Sequence, residues 1–167
     1  MTLTQTELTA KFEGFQSTPY QCTAGKLTIG YGWNMQDNPM SACEKTMFQF
    51  AVNRDWNDNP MTRQEATEIL EYQIGKTASA LADRVKDWEH IPAVIRMVLV
   101  DMGYNMGVPG LLRFRNTLKA VAAGDWFDMA REMEDSGWFK QVGRRSKYLQ
   151  HMVLEFAHRN AAKDILG

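Results

Sequence analysis

The chain has 167 residues and a mass of 19.1 kDa, with 44% hydrophobic residues, 23% charged residues and a net charge of −1. The composition is that of an ordinary soluble globular protein, and the length suits one compact domain or two small lobes. Such a low net charge gives no overall field that would attract nucleic acid or an anionic membrane. The chain has no apolar run of membrane-spanning length, and its N-terminus lacks the basic and apolar parts of a secretory signal. We therefore expect synthesis in a cytosol.

The first third of the chain predicts a helix followed by a small β-structure. Apolar residues at helical spacing predict a helix over residues 5–14. Strand-forming residues then flank a turn at residues 24–26, which predicts a β-hairpin within residues 19–32. The following segment, residues 34–60, is rich in Asn, Asp and Pro and predicts loops around a helix at residues 41–50.

The rest of the chain predicts helices. Thr62 and Glu65 form a capping-box pattern that opens a long helix over residues 62–87. Further helices are predicted near residues 92–106, 115–123, 126–135 and 144–161, separated by glycines. We therefore predict a mainly α, α+β fold with two lobes in a single domain, 1–167. The predicted parts are a β-containing lobe at 15–61, a connecting helix at 62–87, and a helical lobe made of 1–14 plus 88–167.

Three residues near the N-terminus have the spacing of a catalytic motif. Glu13, Cys22 and Thr28 are separated by eight and five residues, which places the acid at a helix end and the thiol and hydroxyl in the hairpin. Cleavage of a glycosidic bond needs a protonated acid on the leaving oxygen and a second group on the opposite face. Singly, these residues have ordinary explanations as an exposed acid, a small apolar side chain and a strand threonine.

The motif resembles the catalytic segment of the T-even-type phage lysozymes, glycoside hydrolase family 24. The match comprises Glu13, Cys22 and the Thr-Ile-Gly-Tyr-Gly run at residues 28–32. The resemblance implies a lysozyme-like fold and an inverting displacement, with Glu13 as the general acid and Thr28 holding the attacking water. Most relatives have aspartate at the position of Cys22, acting as a base, although cysteine also occurs there.

The role of Cys22 is open between three alternatives. In the first, the Cys22 thiolate is the base. In the second, Cys22 shapes the pocket and Thr28 places the water. In the third, Cys22 is only a small apolar side chain that packs in the protein. An ordinary thiol is a few per cent ionised at pH 7, because its pKa is about 8.5. A base role therefore needs a lowered pKa or alkaline conditions. An ionised Glu13 nearby would disfavour the thiolate.

The resemblance continues through the second half of the chain, over residues 101–118 and 126–145. It implies a set of substrate-binding residues, namely Gly32, Asn34, Tyr104, Asn105, Trp138 and Gln141. It also implies an arginine that supports the catalytic glutamate, for which Arg145 matches better than Arg144. Trp33 replaces a histidine that is common in relatives, and it either stacks on a sugar or packs in the core.

Other chemistries have little support in the sequence. The three histidines are not grouped as metal ligands, and no cofactor is predicted. Cys22 has no histidine partner in the hairpin lobe, so a cysteine peptidase is disfavoured. We expect Cys22 and Cys43 to be free thiols, with a disulfide between them as the less favoured alternative. Residues 137–167 carry six Lys or Arg against two acids, and form either a wall-attracting surface or a solvated helix face.

The sequence thus predicts an endolysin. This enzyme would hydrolyse the β-1,4 bond between N-acetylmuramic acid and N-acetylglucosamine of peptidoglycan, as a monomer made in the host cytoplasm. The resemblance implies a holin-type membrane pore as the partner that gives access to the wall. The alternatives are a virion-associated lysozyme and a catalytically inactive wall-binding module of the same fold.

Overall fold

The computed structural model describes residues 3–22 and 24–166, so residues 1, 2, 23 and 167 of the predicted lobes lie outside the described residues. The chain divides into two compact units between residues 75 and 76. Its helices are α1 (Gln5–Glu13), α2 (Ala42–Met47), α3 (Arg63–Ala82), α4 (Ala93–Met106), α5 (Val108–Leu111), α6 (Arg115–Ala123), α7 (Trp126–Glu134), α8 (Gly137–Val142) and α9 (Arg144–Leu166). Its strands are β1 (Gln16–Gln21), β2 (Leu27–Gly30) and β3 (Trp33–Asn34). The predicted fold class, α+β and mainly α, is confirmed.

Local signals at both ends fix helix α1. Glu7 donates its backbone N–H to the Thr4 hydroxyl at 3.2 Å, and its carboxylate accepts from the Thr4 backbone N–H at 2.8 Å. This capping box starts the helix. At the other end Gly14 adopts a φ of 70°, which a residue with a side chain rarely adopts. Glu13 is consequently the last helical residue.

The sheet of the first unit is antiparallel, in the order β1-β2-β3. Tyr20 pairs with Thr28 across the predicted hairpin, and Thr28 pairs in turn with Asn34 on β3. The hairpin prediction is confirmed, but β3 was not predicted because a two-residue strand has no detectable alternation. Thr28 therefore lies on the central strand.

The core of the first unit joins the sheet to the start of α3. It comprises Ile29, Trp33, Phe48, Trp56, Met61, Ala66 and Ile69. Gly30 permits this close packing, since a Cβ atom there would lie 2.9 Å from the Met61 sulfur and 3.3 Å from the Ala66 Cβ. Trp33 is 8% exposed, and its indole N–H donates to the Asn38 carbonyl at 3.1 Å. Of the two alternatives for Trp33, the structure shows packing.

The connecting helix is shorter than predicted. The capping box at its start is present, with the Glu65 N–H donating to the Thr62 hydroxyl at 3.2 Å. The helix ends at Ala82 rather than at residue 87. Beyond Ala82 the Arg84 N–H donates to the Leu81 carbonyl, which is three residues earlier in the chain rather than the four of an α-helix. Asp87 then takes a left-handed φ of 55° that no helix continues through. The division of the chain into the predicted lobes, with 1–14 joined to 88–167, stays a prediction.

The second unit, residues 76–166, is helical, and its α4 packs against α5 and α9. Four α4 side chains, Ile95, Val98, Leu99 and Met102, are fully buried. The predicted helices near 92–106, 115–123, 126–135 and 144–161 are confirmed within a few residues at their ends. Helices α5 and α8, of four and six residues, were not predicted because they are too short for a periodic pattern. Within the described ranges, no helix is long and apolar enough to cross a membrane.

Candidate active site

The carboxylate of Glu13 lies against the backbone of Gly32. A Cβ atom at Gly32 would come within 3.0 Å of Glu13 Oε2, and Gly32 has a φ of 82°. Only glycine combines this backbone conformation with the absence of a side chain. In the turn after β2, the backbone of Gly32 therefore lies next to the Glu13 carboxylate at the end of α1. Glu13 is partly exposed, as a group that donates a proton to a bound substrate must be.

Cys22 and Thr28 face each other across the hairpin end. The Cys22 N–H donates to the Lys26 carbonyl at 3.0 Å, and the Thr28 hydroxyl donates to the same carbonyl at 3.0 Å. The thiol is partly exposed, whereas Thr28 is only 4% exposed. A hydroxyl has one proton, so Thr28 donates either to this carbonyl or to the sulfur.

The hairpin turn favours the ionised form of Cys22. Hydrogen bonds from the backbone N–H groups of Lys26 and Ala24 lower the pKa of the thiol below its ordinary value. Partial desolvation opposes this effect, and a hydrogen bond with the Thr28 side chain reinforces it. More thiolate is therefore present at neutral pH than an unperturbed cysteine would supply. Cys22 and Cys43 are both free thiols.

Tyr20 was not predicted from the sequence to lie near Glu13, Cys22 and Thr28. Tyr20 pairs with Thr28, and directly opposed residues of an antiparallel pair project from the same face. Burial raises the pKa of the Tyr20 phenol, and the charges of Cys22 and Glu13 raise it further. Tyr20 thus lies within electrostatic range of both groups. The alternation of β1 puts Tyr20 two residues before Cys22, which is the signal that could have found it.

Asn34 has a local role in the loop after β3. Its Oδ1 accepts the N–H groups of Gln36 at 3.1 Å and Asp37 at 2.9 Å, and its Nδ2 donates to the Asp37 carboxylate at 3.2 Å. Both ends of the amide thus hold the turn. Its contact with substrate stays a prediction, as does that of Gly32.

In the second unit, two of the predicted substrate-binding residues are joined by a hydrogen bond. The Trp138 indole N–H donates to Asn105 Oδ1 at 2.8 Å, so the short asparagine amide reaches across from α4 to α8. Trp138 also packs edge-on against Phe114 and lines an open pocket of about 700 Å³. Tyr104 is partly exposed and Gln141 exposed. The roles of these four residues in binding stay predictions.

Arg145 binds Asp101, a partner that was not predicted from the sequence. Its Nε donates to Asp101 Oδ2 at 2.7 Å and its Nη2 to Asp101 Oδ1 at 3.1 Å, a two-point contact. Arg145 is 5% and Asp101 0% exposed, whereas Arg144 is exposed. Burial singles out Arg145 from Arg144 as the fixed guanidinium, and its support of Glu13 stays a prediction.

The side chains that commonly bind metal ions give no indication of a metal centre in the described residues. Within residues 3–22 and 24–166, no three His, Cys, Asp or Glu side chains are grouped so that they could hold a metal ion. The chemistry at Glu13, Cys22 and Thr28 needs only an acid, a base and a water molecule.

An acid at a helix end and a thiol and a hydroxyl of the small sheet lie within one compact unit. The sequence matches the family model described as phage lysozyme over residues 10–154. The chain belongs to the phage lysozyme family. The family supports a lysozyme function with general glycoside hydrolase activity.

Two curated relatives illustrate the range of proteins that this chain resembles. It is 28% identical over 160 residues to the pre-baseplate central spike protein Gp5 of Enterobacteria phage T4, a match covering 91% of this chain and 28% of the spike protein. It is 24% identical over 159 residues to the probable T4-type lysozyme 1 of Dictyostelium discoideum, covering 90% of this chain and 93% of that protein. The chain thus spans less than a third of the spike protein's length.

Proposed function

We propose that this protein is an endolysin that hydrolyses the β-1,4 bond between N-acetylmuramic acid and N-acetylglucosamine of peptidoglycan, with inversion at the anomeric carbon. The observation that carries the proposal is the placement of the Glu13 carboxylate against Gly32, in the same compact unit as the Cys22–Thr28 pair. An acid and a base on separate elements can act on opposite faces of one bond.

In the proposed reaction, Glu13 donates its proton to the glycosidic oxygen as the bond from that oxygen to the anomeric carbon breaks. A water molecule held by the Thr28 hydroxyl attacks the anomeric carbon and gives its proton to the Cys22 thiolate. The products are two saccharide ends, a Glu13 carboxylate and a Cys22 thiol. Proton exchange with solvent restores both groups. The lowered pKa of Cys22 supports its role as the base, because only the thiolate can accept a proton.

We further propose that the protein acts as a monomer, accumulates in the host cytoplasm and reaches the wall when a holin-type pore opens the membrane. Expression in a bacterial cytoplasm should then leave cells intact until the membrane is permeabilised. Lysis without permeabilisation would contradict this part of the proposal, and gel filtration of the purified protein measures its oligomeric state.

The decisive experiment follows the products of purified sacculi. Wild-type protein should release muropeptides whose new reducing ends are first formed in the α-anomer, as inversion of a β-linkage requires. Glu13→Gln should fold normally and be slower by about 10²- to 10⁴-fold, the usual contribution of a general acid. Glu71→Gln makes the same change on an exposed residue of α3 and should match wild type. Full activity of Glu13→Gln would refute the assignment of the acid.

A virion-associated lysozyme is the second candidate, and the 28% identity to the central spike protein favours it. The two roles differ in where the protein is found. Purified particles should lack this protein if it is an endolysin and contain it if it is virion-associated. Quantitative mass spectrometry of washed particles distinguishes them. A wall-binding module without activity would retain sacculus binding but release no muropeptides.

A further inference from the structure

The phenol of Tyr20 is a group that the reaction above does not use, although the fold places it inside the site. Tyr20 is opposite Thr28 in the β1–β2 pair and two residues before Cys22. The pairing continues to Cys22, whose N–H donates to the Lys26 carbonyl. Because side chains two residues apart on a strand share a face, Tyr20, Cys22 and Thr28 project from the same face of the sheet.

The order of residue pairs along the hairpin puts Tyr20 between the acid and the thiol. The Gln16–Gly30 pair lies at the end nearest Gly32, where the Glu13 carboxylate sits. The Tyr20–Thr28 pair follows, and the pairing of Cys22 with Lys26 closes the hairpin. A saccharide bond flanked by Glu13 and Cys22 would therefore lie over the Tyr20–Thr28 pair.

The hydroxyl of Tyr20 is available to a ligand. It makes no hydrogen bond to another residue of the described chain, and the side chain is partly exposed rather than sealed in the core. A half-buried phenol usually has a partner for its O–H group. Burial raises the pKa of this phenol, so it stays protonated, and a donor, across the neutral range.

We propose that the Tyr20 hydroxyl donates a hydrogen bond to an oxygen of the saccharide held between Glu13 and Cys22, which makes Tyr20 a substrate-binding residue of this site. This inference rests on the proposed function. The ligand chemistry is that of a hydroxylated or acetamido sugar, whose oxygens accept from the phenol while its apolar face lies along the ring.

The test removes the hydroxyl alone. Tyr20→Phe should lower kcat/KM on sacculi about tenfold, the value of one lost neutral hydrogen bond. Tyr20→Ala should lose at least as much. Tyr72→Phe removes the same atom from an α3 residue whose ring packs edge-on against Phe48, and it should stay within about twofold of wild type. A kcat/KM of Tyr20→Phe equal to wild type would overturn the proposal, whatever the behaviour of Tyr20→Ala.

A binding measurement separates this inference from the proposed function. The affinity for sacculi is measured for the single variant Glu13→Gln and for the double variant that also carries Tyr20→Phe. The measurement does not require either variant to hydrolyse the sacculi. Weaker binding of the double variant supports the contact, and equal binding overturns it. Failure of Glu13→Gln to bind, or its full activity, would instead count against the proposed function. Far-ultraviolet circular dichroism and thermal unfolding of each variant show whether a loss comes from misfolding, which would also overturn the contact.

Discussion

Glu13 Oε2 lies where a side chain at Gly32 would have to be, at 3.0 Å from the position of its Cβ atom. The end of α1 and the turn between β2 and β3 thus meet at one glycine. The contact restricts where the carboxylate can lie, and it makes the acid sensitive to one methyl group.

Gly32→Ala should impair activity more than stability. The new methyl group crowds the carboxylate, which must shift by a few tenths of an ångström, and this shift should lower kcat by up to about tenfold, because a misplaced catalytic group costs far more than a lost contact. The positive φ adds a stability cost of about 1 kcal/mol. Gly124→Ala, with a φ of 69° and its nearest neighbour 3.9 Å away, is the control. It should show a similar stability cost and normal kcat. Equal kcat for both variants would show that the Glu13 contact is unimportant.

The pH–rate profile should report the ionisation of Cys22. The folded site lowers the pKa of the thiol, so activity should fall as the pH drops through that lowered value. Cys22→Asp should extend activity to lower pH, because a carboxyl group ionises near pH 4. Thr28→Val removes a hydrogen bond that favours the thiolate, so its remaining activity should need higher pH. Identical acidic limbs for wild type and Cys22→Asp would exclude the thiolate as the base.

Thiol alkylation should inactivate the enzyme through one cysteine. Cys43 is exposed on α2, and Cys22 is partly exposed with a lowered pKa. The Cys43→Ser variant should therefore lose activity in step with Cys22 modification, and Cys22→Asp should resist. Intact-mass spectrometry gives the extent of labelling for comparison with residual activity. Full activity after complete labelling of Cys22 would leave this residue only a packing role.

Loss of the Asp101 charge should destabilise the second unit, because the buried Arg145 guanidinium would lose its charged partner. Removal of one partner from a buried ion pair typically costs about 3–5 kcal/mol, so Asp101→Asn should lower the free energy of unfolding by several kcal/mol. Glu89→Gln breaks the exposed pair with Arg96, at 3.1 Å, and should cost less than about 1 kcal/mol. Urea unfolding measures both. A similar small loss for Asp101→Asn would mean that Arg145 finds another partner.

The sequence by itself determined the local structure and the motif. The caps at Thr4 and Thr62 start helices. Each cap joins residues that are three apart in the chain, so a short stretch of sequence is enough to predict it. The hairpin and most of the helices also follow from local pattern and spacing, and the resemblance of the motif indicated the family. The end of α3 was predicted too late in the chain, because the helical spacing of apolar residues continues past Ala82 whereas the helical backbone ends there.

Only the tertiary structure decided which distant residues meet. Arg145 binds Asp101, 44 residues away, and Trp138 binds Asn105, 33 residues away; no local pattern encodes either choice. The burial of Trp33 likewise depends on residues from other segments of the first unit that pack in the same cluster. Such packing arises from the whole unit at once, and therefore it appears only in three dimensions.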